Sequence, residues 1–516
     1  RAVTLSGYSI DQLSEVPFSE LECIMKKLEI PKALVDLAGP AHDAILRRLA
    51  FLKKVGLGYL HLNRIAGTLS AGEAQRAKLA GLLGSGLTSL TVLLDEPTRG
   101  MHPSEVEALV DALMDLKNEG NSIVIVEHDP EVIKAAEHII DMGPKAGSGG
   151  GRVVAEGTLK EISKKNTVTS KWLSGRRAIR IPENRREPQE WLEIRGAKEN
   201  NLTGELVRIP LGVVVGICGP SGSGKSTLLV DTIGRALSPR KITTSVAYEP
   251  IAPGEHKSIV GAPQKTIVLD QSRRGINNPG QFLDVFTHLT RIYSESEDAS
   301  ALGMTSAELS SSCSSCEGRG LIRTEMGFLP TVFSSCDTCN GTGLRPEAWE
   351  VHVNGIPYPK LGELTIDEAY DLFGDDEGLR RILSIAQSVG LGYLVLHQPS
   401  HTISAGEIQR LRIAKELSRK AAGPTLYVWD EPSLGQHMED VARLVDVLRG
   451  ITEKGHSVVI IEHHPHILAA CDWLIELGPG GGPEGGRIVA EGTPETIAAG
   501  SSRTAAYIRD TLEGRL

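Results

Sequence analysis

The strongest constraint on this chain is that much of it is written twice. "VGLGYL" occurs at Val55 and at Val389, and "TLSAGEAQR" from Thr68 is answered by "TISAGEIQR" from Thr402, both at an offset of 334. "DEP" at Asp95 and Asp430, "EH" at Glu127 and Glu462, "GP" at Gly143 and Gly478, and "EGT" at Glu156 and Glu491 keep an offset of 335. A register held over so long a stretch means two homologous modules. One element is not duplicated. The phosphate-loop pattern "GPSGSGKS" occurs once, from Gly219. At the same offset its counterpart would fall before Arg1, so the chain is expected to begin inside its first module. The rival reading is a first module that has degenerated.

With 516 residues the chain exceeds a single core and predicts roughly three or four domains. A net charge of -10 excludes a uniformly basic coat for nucleic acid but leaves room for a local basic groove. The longest apolar runs, such as "GVVVGICG" and "HSVVIIEH", fall well short of the roughly 18 residues that a membrane helix needs.

"LTVLLDEP" and "TLYVWDEP" read as buried strands ending in acids, and "NSIVIVEHD" and "HSVVIIEHH" as second buried strands ending in Glu-His. Such β-branched runs predict a parallel sheet covered on both faces. Between them "SEVEALVDALMDLKNEG" predicts an amphipathic helix. Its expected capping box is Ser104 with Glu107, its inward face Val106, Leu109, Val110 and Leu113, and its stop Gly120. Strand, helix, strand makes βαβ units and an α/β fold. The polar, basic segment 166–190 reads as a linker whose Arg176, Arg177, Arg180, Arg185 and Arg186 are either phosphate contacts or solvated charges.

The loop at Gly219 follows the apolar strand "GVVVGIC" and opens a helix, "KSTLLVDTIG". Gly219, Gly222 and Gly224 let backbone N–H groups turn toward phosphate oxygens beside Ser221 and Thr227, and the helix dipole adds to the pull. Lys225 can reach the outer phosphates and Ser226 can ligate Mg²⁺. Asp430 and Glu431 end an apolar strand, where unpartnered carboxylates would be costly. Asp430 is the candidate Mg²⁺ residue, and Glu431 the candidate for orienting or deprotonating water.

Loop, signature, "DEP" and "EH" together resemble an ABC-type ATPase. The resemblance implies two such modules, the first truncated, each with a helical signature subdomain. ATP would lie between the phosphate loop of one module and the signature of the other. Carried onto this chain, the loop, Gln271, Asp430, Glu431 and His463 form one half of a site, and Ser70, Ala71, Gly72 and Glu73 the other. Ser70 and Gly72 would face the γ-phosphate, as would His463, and Gln271 would face metal or water. Ser404, Gly406 and Glu407 with Asp95, Glu96 and His128 would serve a second, incomplete site.

Seven cysteines include two C-x-x-C pairs, Cys313 with Cys316 and Cys336 with Cys339, nineteen residues apart. That spacing fits a structural Cys₄ zinc site on a hairpin. The insertion lies between the phosphate loop and the second signature. Its "GFLPTVFSSCDTC", with "NNLTGELVRIPLG", "LDQS", "DEPSLGQH" and "LGPGGGPEGGRIVAEGTP", is similar to the UvrA family, the damage-sensing ATPase of bacterial nucleotide excision repair. The resemblance covers essentially the whole chain as the C-terminal part of a longer protein. It implies a cytoplasmic homodimer that binds distorted duplex DNA, with UvrB a partner whose binding region would lie upstream. Arg319 and Arg323, and less directly Arg273 and Arg274, are then candidate phosphate contacts.

Expected boundaries are 1–67 for the rest of signature domain I, 68–165 for the C-terminal part of module I and 166–190 for the linker. Module II begins over 191–270, signature domain II with its zinc hairpin (313–339) takes 271–401, and 402–516 completes module II. Four features depart from the family pattern: Ala71 and Ala405 in "SAGE" where "SGGE" is usual, "MTSAELSSSC" before the first cysteine pair, Gln436 for Leu, and His464 for Asn. They suggest a divergent paralogue, with self-resistance against a DNA-binding drug as the alternative function. The motor subunit of a membrane transporter shares loop, signature and "DEP", but has no need of a Cys₄ hairpin.

Overall fold

A computed structural model describes residues 4–5, 7–28, 30, 32–66, 69, 71–83, 88–239, 241–243, 248–250, 252–269, 276–324, 332–419 and 423–515. The chain divides into two compact units. One comprises residues 1–144, 152–271 and 421–516, and the other residues 145–151 and 272–420.

The first unit is built on a six-stranded sheet. Its order is Lys265–Leu269, Thr425–Asp430, Ser457–Ile461, Val214–Cys218, Trp473–Gly478, Arg487–Gly492. All pairings are parallel except the last. Val214–Cys218 and Ser457–Ile461 are buried at every position, as their unbroken β-branched runs predict. A three-stranded antiparallel sheet, Ser258–Val260, Glu190–Arg195 and Val207–Leu211, shares the same core.

The first copy repeats the flanking pairs of this geometry. Thr91–Asp95 pairs in parallel with Ser122–Val126, and Ile139–Gly143 pairs antiparallel with Arg152–Gly157. In the second copy the phosphate-loop strand Val214–Cys218 lies between the equivalents of Ser122–Val126 and Ile139–Gly143. Among the described residues no strand takes that place in the first copy. The expectation of strands covered on both faces therefore fails there. Leu93 is 74% exposed where its counterpart Val428 is 0%, and Val124, Ile140 and Met142 are likewise exposed.

The helix Pro103–Asn118 forms as its apolar spacing predicts, burying Val106, Leu109, Ala112, Leu113 and Leu116, while Val110 is half-buried. Its cap corrects the expected one. His102, not Ser104, is the N-cap, and the reciprocal partner is Glu105, not Glu107. Pro103 takes the first helical position, where its missing N–H costs nothing, and this moves the helix start forward by two residues. Gly120, at φ +91°, follows the end. The segment after the phosphate loop also differs from the expected α-helix, since Thr227–Gly234 is wound as a π-helix.

The expected linker is largely exposed, yet it is tied to the rest of the chain by side-chain pairs. It contains the helix Val168–Leu173. Arg176 donates to the carbonyls of Ser163 and Lys165, and Arg177 pairs with Glu439 at 2.7 Å. Arg185 pairs with Glu495 at 2.6 Å, and Arg186 with Glu453 at 3.3 Å. Those four arginines are committed within the chain.

The second unit is mainly helical. Val285–Ser294, Glu377–Ser388 and the second signature helix, Ala405–Ser418, surround buried Leu289, Tyr293, Leu379 and Leu383. A two-stranded hairpin, Leu321–Thr324 with Val332–Ser335, stands beside the cysteines.

Candidate ATP site and cysteine centre

The phosphate loop is shaped by three glycines at positive φ. They are Gly219 (+130°), Gly222 (+72°) and Gly224 (+101°). A Cβ on Gly219 would lie 2.0 Å from the Leu477 carbonyl oxygen, and one on Gly222 would lie 2.6 Å from the Tyr59 ring. Only glycine fits either place. Lys225 is buried and donates to the carbonyls of Gly219 and Pro220 at 2.9 and 2.8 Å. Burial holds its pKa below the usual lysine value, against the pull of Glu105 and Glu431. Ser226 is exposed at the helix start, and Thr227 accepts from Asn200 at 3.2 Å. This cradle of glycine backbone and lysine suits a polyphosphate.

Asp430 ends its strand opposite Ile461, two strands from the phosphate-loop strand. Glu431 follows at φ +46°, and its counterpart Glu96 adopts +45°. The same rare conformation, held twice at a non-glycine residue, marks both "DEP" turns as constrained sites. His463 Nε2 lies 3.6 Å from Glu431 Oε1, and His128 Nε2 lies 4.0 Å from Glu96 Oε1. Burial, followed by the nearby Lys225 charge, keeps His463 neutral below its ordinary range. Both pairs line one cavity.

The turns cross between modules. A Cβ on Gly100, from the first "DEP" turn, would lie 3.3 Å from Glu431 Oε2, and one on Gly435, from the second, 2.8 Å from Glu96 Oε2. Glu105 reaches the phosphate loop itself. It accepts the Ser221 backbone N–H at 3.1 Å and the Ser221 hydroxyl at 2.7 Å. Arg76, 1% exposed, lies 3.8 Å behind Glu105.

Of the signature residues, Ser70 lies outside the described residues, as do Gln271, Arg273 and Arg274. Ala71 and Gly72 open the helix Ala71–Leu83. Buried Glu73 accepts the hydroxyl proton of Tyr59, whose ring covers Gly222 of the phosphate loop. Burial raises the Tyr59 pKa, with Glu73 adding to the shift, so Tyr59 remains a donor. In the second unit the same pattern recurs, with Tyr393 donating to Glu407 at 2.5 Å. There Ser404 and Glu407 also form a reciprocal capping box at 3.2 and 2.7 Å. The signature "S-A-G-E" is thus itself an S-x-x-E helix start.

The sulfurs of Cys313, Cys316, Cys336 and Cys339 lie within 4.8 Å of one another, all buried. Backbone N–H groups of Gly320 and Gly343 donate to Cys316 and Cys339 at 3.2 and 3.3 Å, the two turns of a paired knuckle. The N–H of Cys316 lowers the Cys313 pKa, that of Cys339 lowers Cys336 to about 7, and burial raises Cys339 to about 11. Four converging soft donors with supporting N–H groups fit tetrahedral zinc. Arg319 beside them is exposed and pairs with Glu317 at 3.1 Å, and the Arg323 side chain lies outside what is described.

A protein-family model described as ABC transporter matches residues 206–434. UvrABC system protein A of Aquifex aeolicus is 42% identical over 529 residues, which cover 99% of this chain and 56% of that protein. The same protein of Thermus thermophilus is 41% identical, covering 98% and 54%. In structure, UvrA2 from Deinococcus radiodurans superposes with a TM-score of 0.86 at 35% identity, over 99% of this chain and 64% of that one. The chain belongs to the UvrA family. It spans about half the length of the curated relatives it matches, and it carries an ABC ATPase domain. No helix among the described residues is long and apolar enough to cross a membrane.

Within this UvrA-family chain the structure adds residues that motif reading passed over. Tyr59, Gly100 and Glu105 reach the second module's candidate site from the first, and His102 stands edge-on to His463. Tyr59 had a signal, since "VGLGYL" is duplicated verbatim, and so had His102, since "GMH" and "GQH" keep the 335 register. Two of the residues unusual for the family are structural. Gln436 donates to the Pro432 carbonyl at 2.7 Å, and His464 begins the helix Pro465–Ala470.

Proposed function

We propose that this chain is the ATPase portion of a UvrA-type sensor of distorted duplex DNA, which couples ATP binding and hydrolysis to lesion recognition and hand-off. The observation that carries the reading is the buried four-cysteine cluster set between phosphate loop and second signature, in a chain similar end to end to UvrABC system protein A. A transporter motor has no use for that cluster.

In this reading Lys225 and the loop amides hold the β- and γ-phosphates, with Ser221 and Thr227 alongside. Ser226 and Asp430 would hold Mg²⁺, whose charge offsets the phosphates, and Gln271 would join them. Glu431 orients the attacking water and takes its proton. His463, neutral and beside Glu431, donates to the γ-phosphate. Ser70, Gly72 and Glu73 close the site from the first module. Cys313, Cys316, Cys336 and Cys339 would hold zinc, which would brace the hairpin without chemistry of its own. The protein would act in the cytoplasm as a homodimer, with other UvrABC components as partners. Arg319 is the described candidate for a DNA phosphate contact.

The test is titration of labelled duplexes, intact and lesion-bearing, at several salt concentrations. Tighter binding of the lesion with a negative salt slope is expected. Equal affinity at every salt would remove damage sensing from the reading.

A further inference from the structure

His102 belongs to neither the phosphate loop nor the signature, yet it is 1% exposed and fully engaged. Its Nδ1 accepts the Ser104 backbone N–H at 3.2 Å and lies 2.9 Å from the Ser104 hydroxyl. A backbone N–H can only donate, so the ring proton is on Nε2. Nε2–H therefore donates to Thr504 Oγ1 at 3.0 Å. The Thr504 hydroxyl donates onward to Glu476 Oε1 at 2.8 Å, and the Thr504 N–H reaches the same oxygen at 3.0 Å. The Ser502 hydroxyl holds the other oxygen of Glu476 at 2.5 Å. Glu476 is wholly buried and stands in register with Cys218, where the phosphate loop begins.

The same relay exists a second time. His437 Nδ1 accepts the Glu439 N–H at 3.1 Å, its Nε2 meets Thr169 Oγ1 at 3.3 Å, and Thr169 donates to Asp141 at 2.8 Å. His437, Thr169 and Asp141 are offset by 335 from His102, Thr504 and Glu476. Each relay starts on one module's "DEP" turn and ends on the other module's strand. Each also sets its histidine edge-on to the "EH" histidine across from it. His102 and His463 have ring centroids 6.4 Å apart, and His437 and His128 6.2 Å.

The turn that His102 anchors is the one that touches the candidate chemistry. Gly100 abuts Glu431, and Glu105, which caps the His102 N–H at 3.0 Å, holds Ser221 of the phosphate loop. We propose that His102 is a positioning residue of the ATP site, fixing the first module's turn against Glu431 and the phosphate loop through Thr504 and Glu476. This rests on reading Lys225 and Glu431 as the hydrolytic site. His102 touches no nucleotide in this scheme. It sets where Gly100 and Glu105 stand, so its loss acts on turnover more than on ATP binding.

The experiment uses the full chain, with steady-state ATPase kinetics and selective ¹⁵N-histidine spectra. Thr504→Val keeps the shape and removes the relay. It is expected to lower kcat roughly tenfold with KM for ATP within about twofold, as loss of a hydrogen bond in a charge-terminated chain would. His102→Phe should do at least as much, and His102→Gln, which restores an N–H, should recover most of the rate. The spectrum should show a neutral Nε2–H ring at His102, perturbed in Thr504→Val. A wild-type kcat in a folded Thr504→Val, or an Nδ1–H or charged His102 ring at pH 7, overturns the proposal. Lys225→Ala separates the two readings: if it leaves turnover intact, the ATP-site assignment fails, whereas if it abolishes turnover and Thr504→Val does not slow it, only the relay fails. The spectrum tests the relay even where a variant is too unstable to assay.

Discussion

Ser221 of the phosphate loop gives both its backbone N–H and its hydroxyl to the Glu105 carboxylate, 116 residues earlier in the chain. The loop that would hold ATP in one module is thus fastened by an acid of the other. Glu105 in turn pairs with buried Arg76 at 3.8 Å. Removing one partner of such a pair strands the other in a low-dielectric interior. Glu105→Ala is expected to destabilise the chain by about 3 kcal/mol or more, read as a lower denaturant midpoint. Glu105→Leu combined with Arg76→Met should recover much of that loss. A Glu105→Ala midpoint equal to wild type would show that the pair contributes nothing.

Glu431 and Lys225 divide binding from chemistry. Glu431→Gln keeps size and hydrogen bonding but cannot take a proton, and turnover should drop by about 10²-fold or more while nucleotide binding persists. Lys225→Ala should instead weaken nucleotide binding itself. Fluorescent-nucleotide titration beside phosphate release distinguishes the two, and a Glu431→Gln chain that still turns over at the wild-type rate removes Glu431 from the chemistry.

The cysteine centre makes a stoichiometric prediction. Elemental analysis of the purified chain should find one zinc per chain, released on denaturation with a thiol reagent. Cys316→Ser should lose the metal and lower the melting temperature, since structural zinc contributes directly to folding. Metal content unaffected by Cys316→Ser would contradict four-cysteine ligation.

Acid sensitivity should come in part from His464. Burial, with His466 nearby, depresses its pKa to about 3 from the model-peptide range near 6.5. The folded state binds fewer protons than the unfolded one in that window, so stability falls as pH drops from 6.5 toward 3. Glu462, raised by burial to about 7, acts with opposite sign between its usual value and 7. His464→Asn should flatten the loss of stability between pH 6.5 and 4, measured by urea unfolding. An unchanged slope would mean that His464 does not titrate with unfolding.

For DNA, Arg319→Ala should weaken binding similarly for every sequence and reduce the salt slope by about 1. Arg185→Ala, whose guanidinium is held by Glu495 and the Cys471 carbonyl, should change stability and leave that slope alone. A salt slope untouched by Arg319→Ala removes it from the interface.

What the sequence made legible was whatever is encoded locally. The phosphate loop, both C-x-x-C pairs and the duplicated register are contiguous patterns, and each names its own geometry. The relationships that complete the site are different in kind. Gly100 against Glu431 and Glu105 on Ser221 join residues more than a hundred positions apart, and only the packing of one module on the other brings them together. The cap of Pro103–Asn118 was misread because histidine is a rare N-cap and Ser104 an ordinary one. The first-copy strands read as fully covered because Leu93 and Val124 are as apolar as their buried counterparts Val428 and Val459. What differs is the neighbour strand, which no described residue supplies in the first copy and which the local sequence of Thr91–Asp95 does not record.

The crossing of the two turns, Gly100 on Glu431 and Gly435 on Glu96, has a thermodynamic corollary. Because each turn belongs to one module and presses on the acid of the other, the two half-sites form a closed circuit rather than two parallel devices. A ligand that favoured one arrangement of the first turn and so changed the affinity at the opposite half-site would be acted on in return by the same factor. Such a pair cannot be tuned one member at a time.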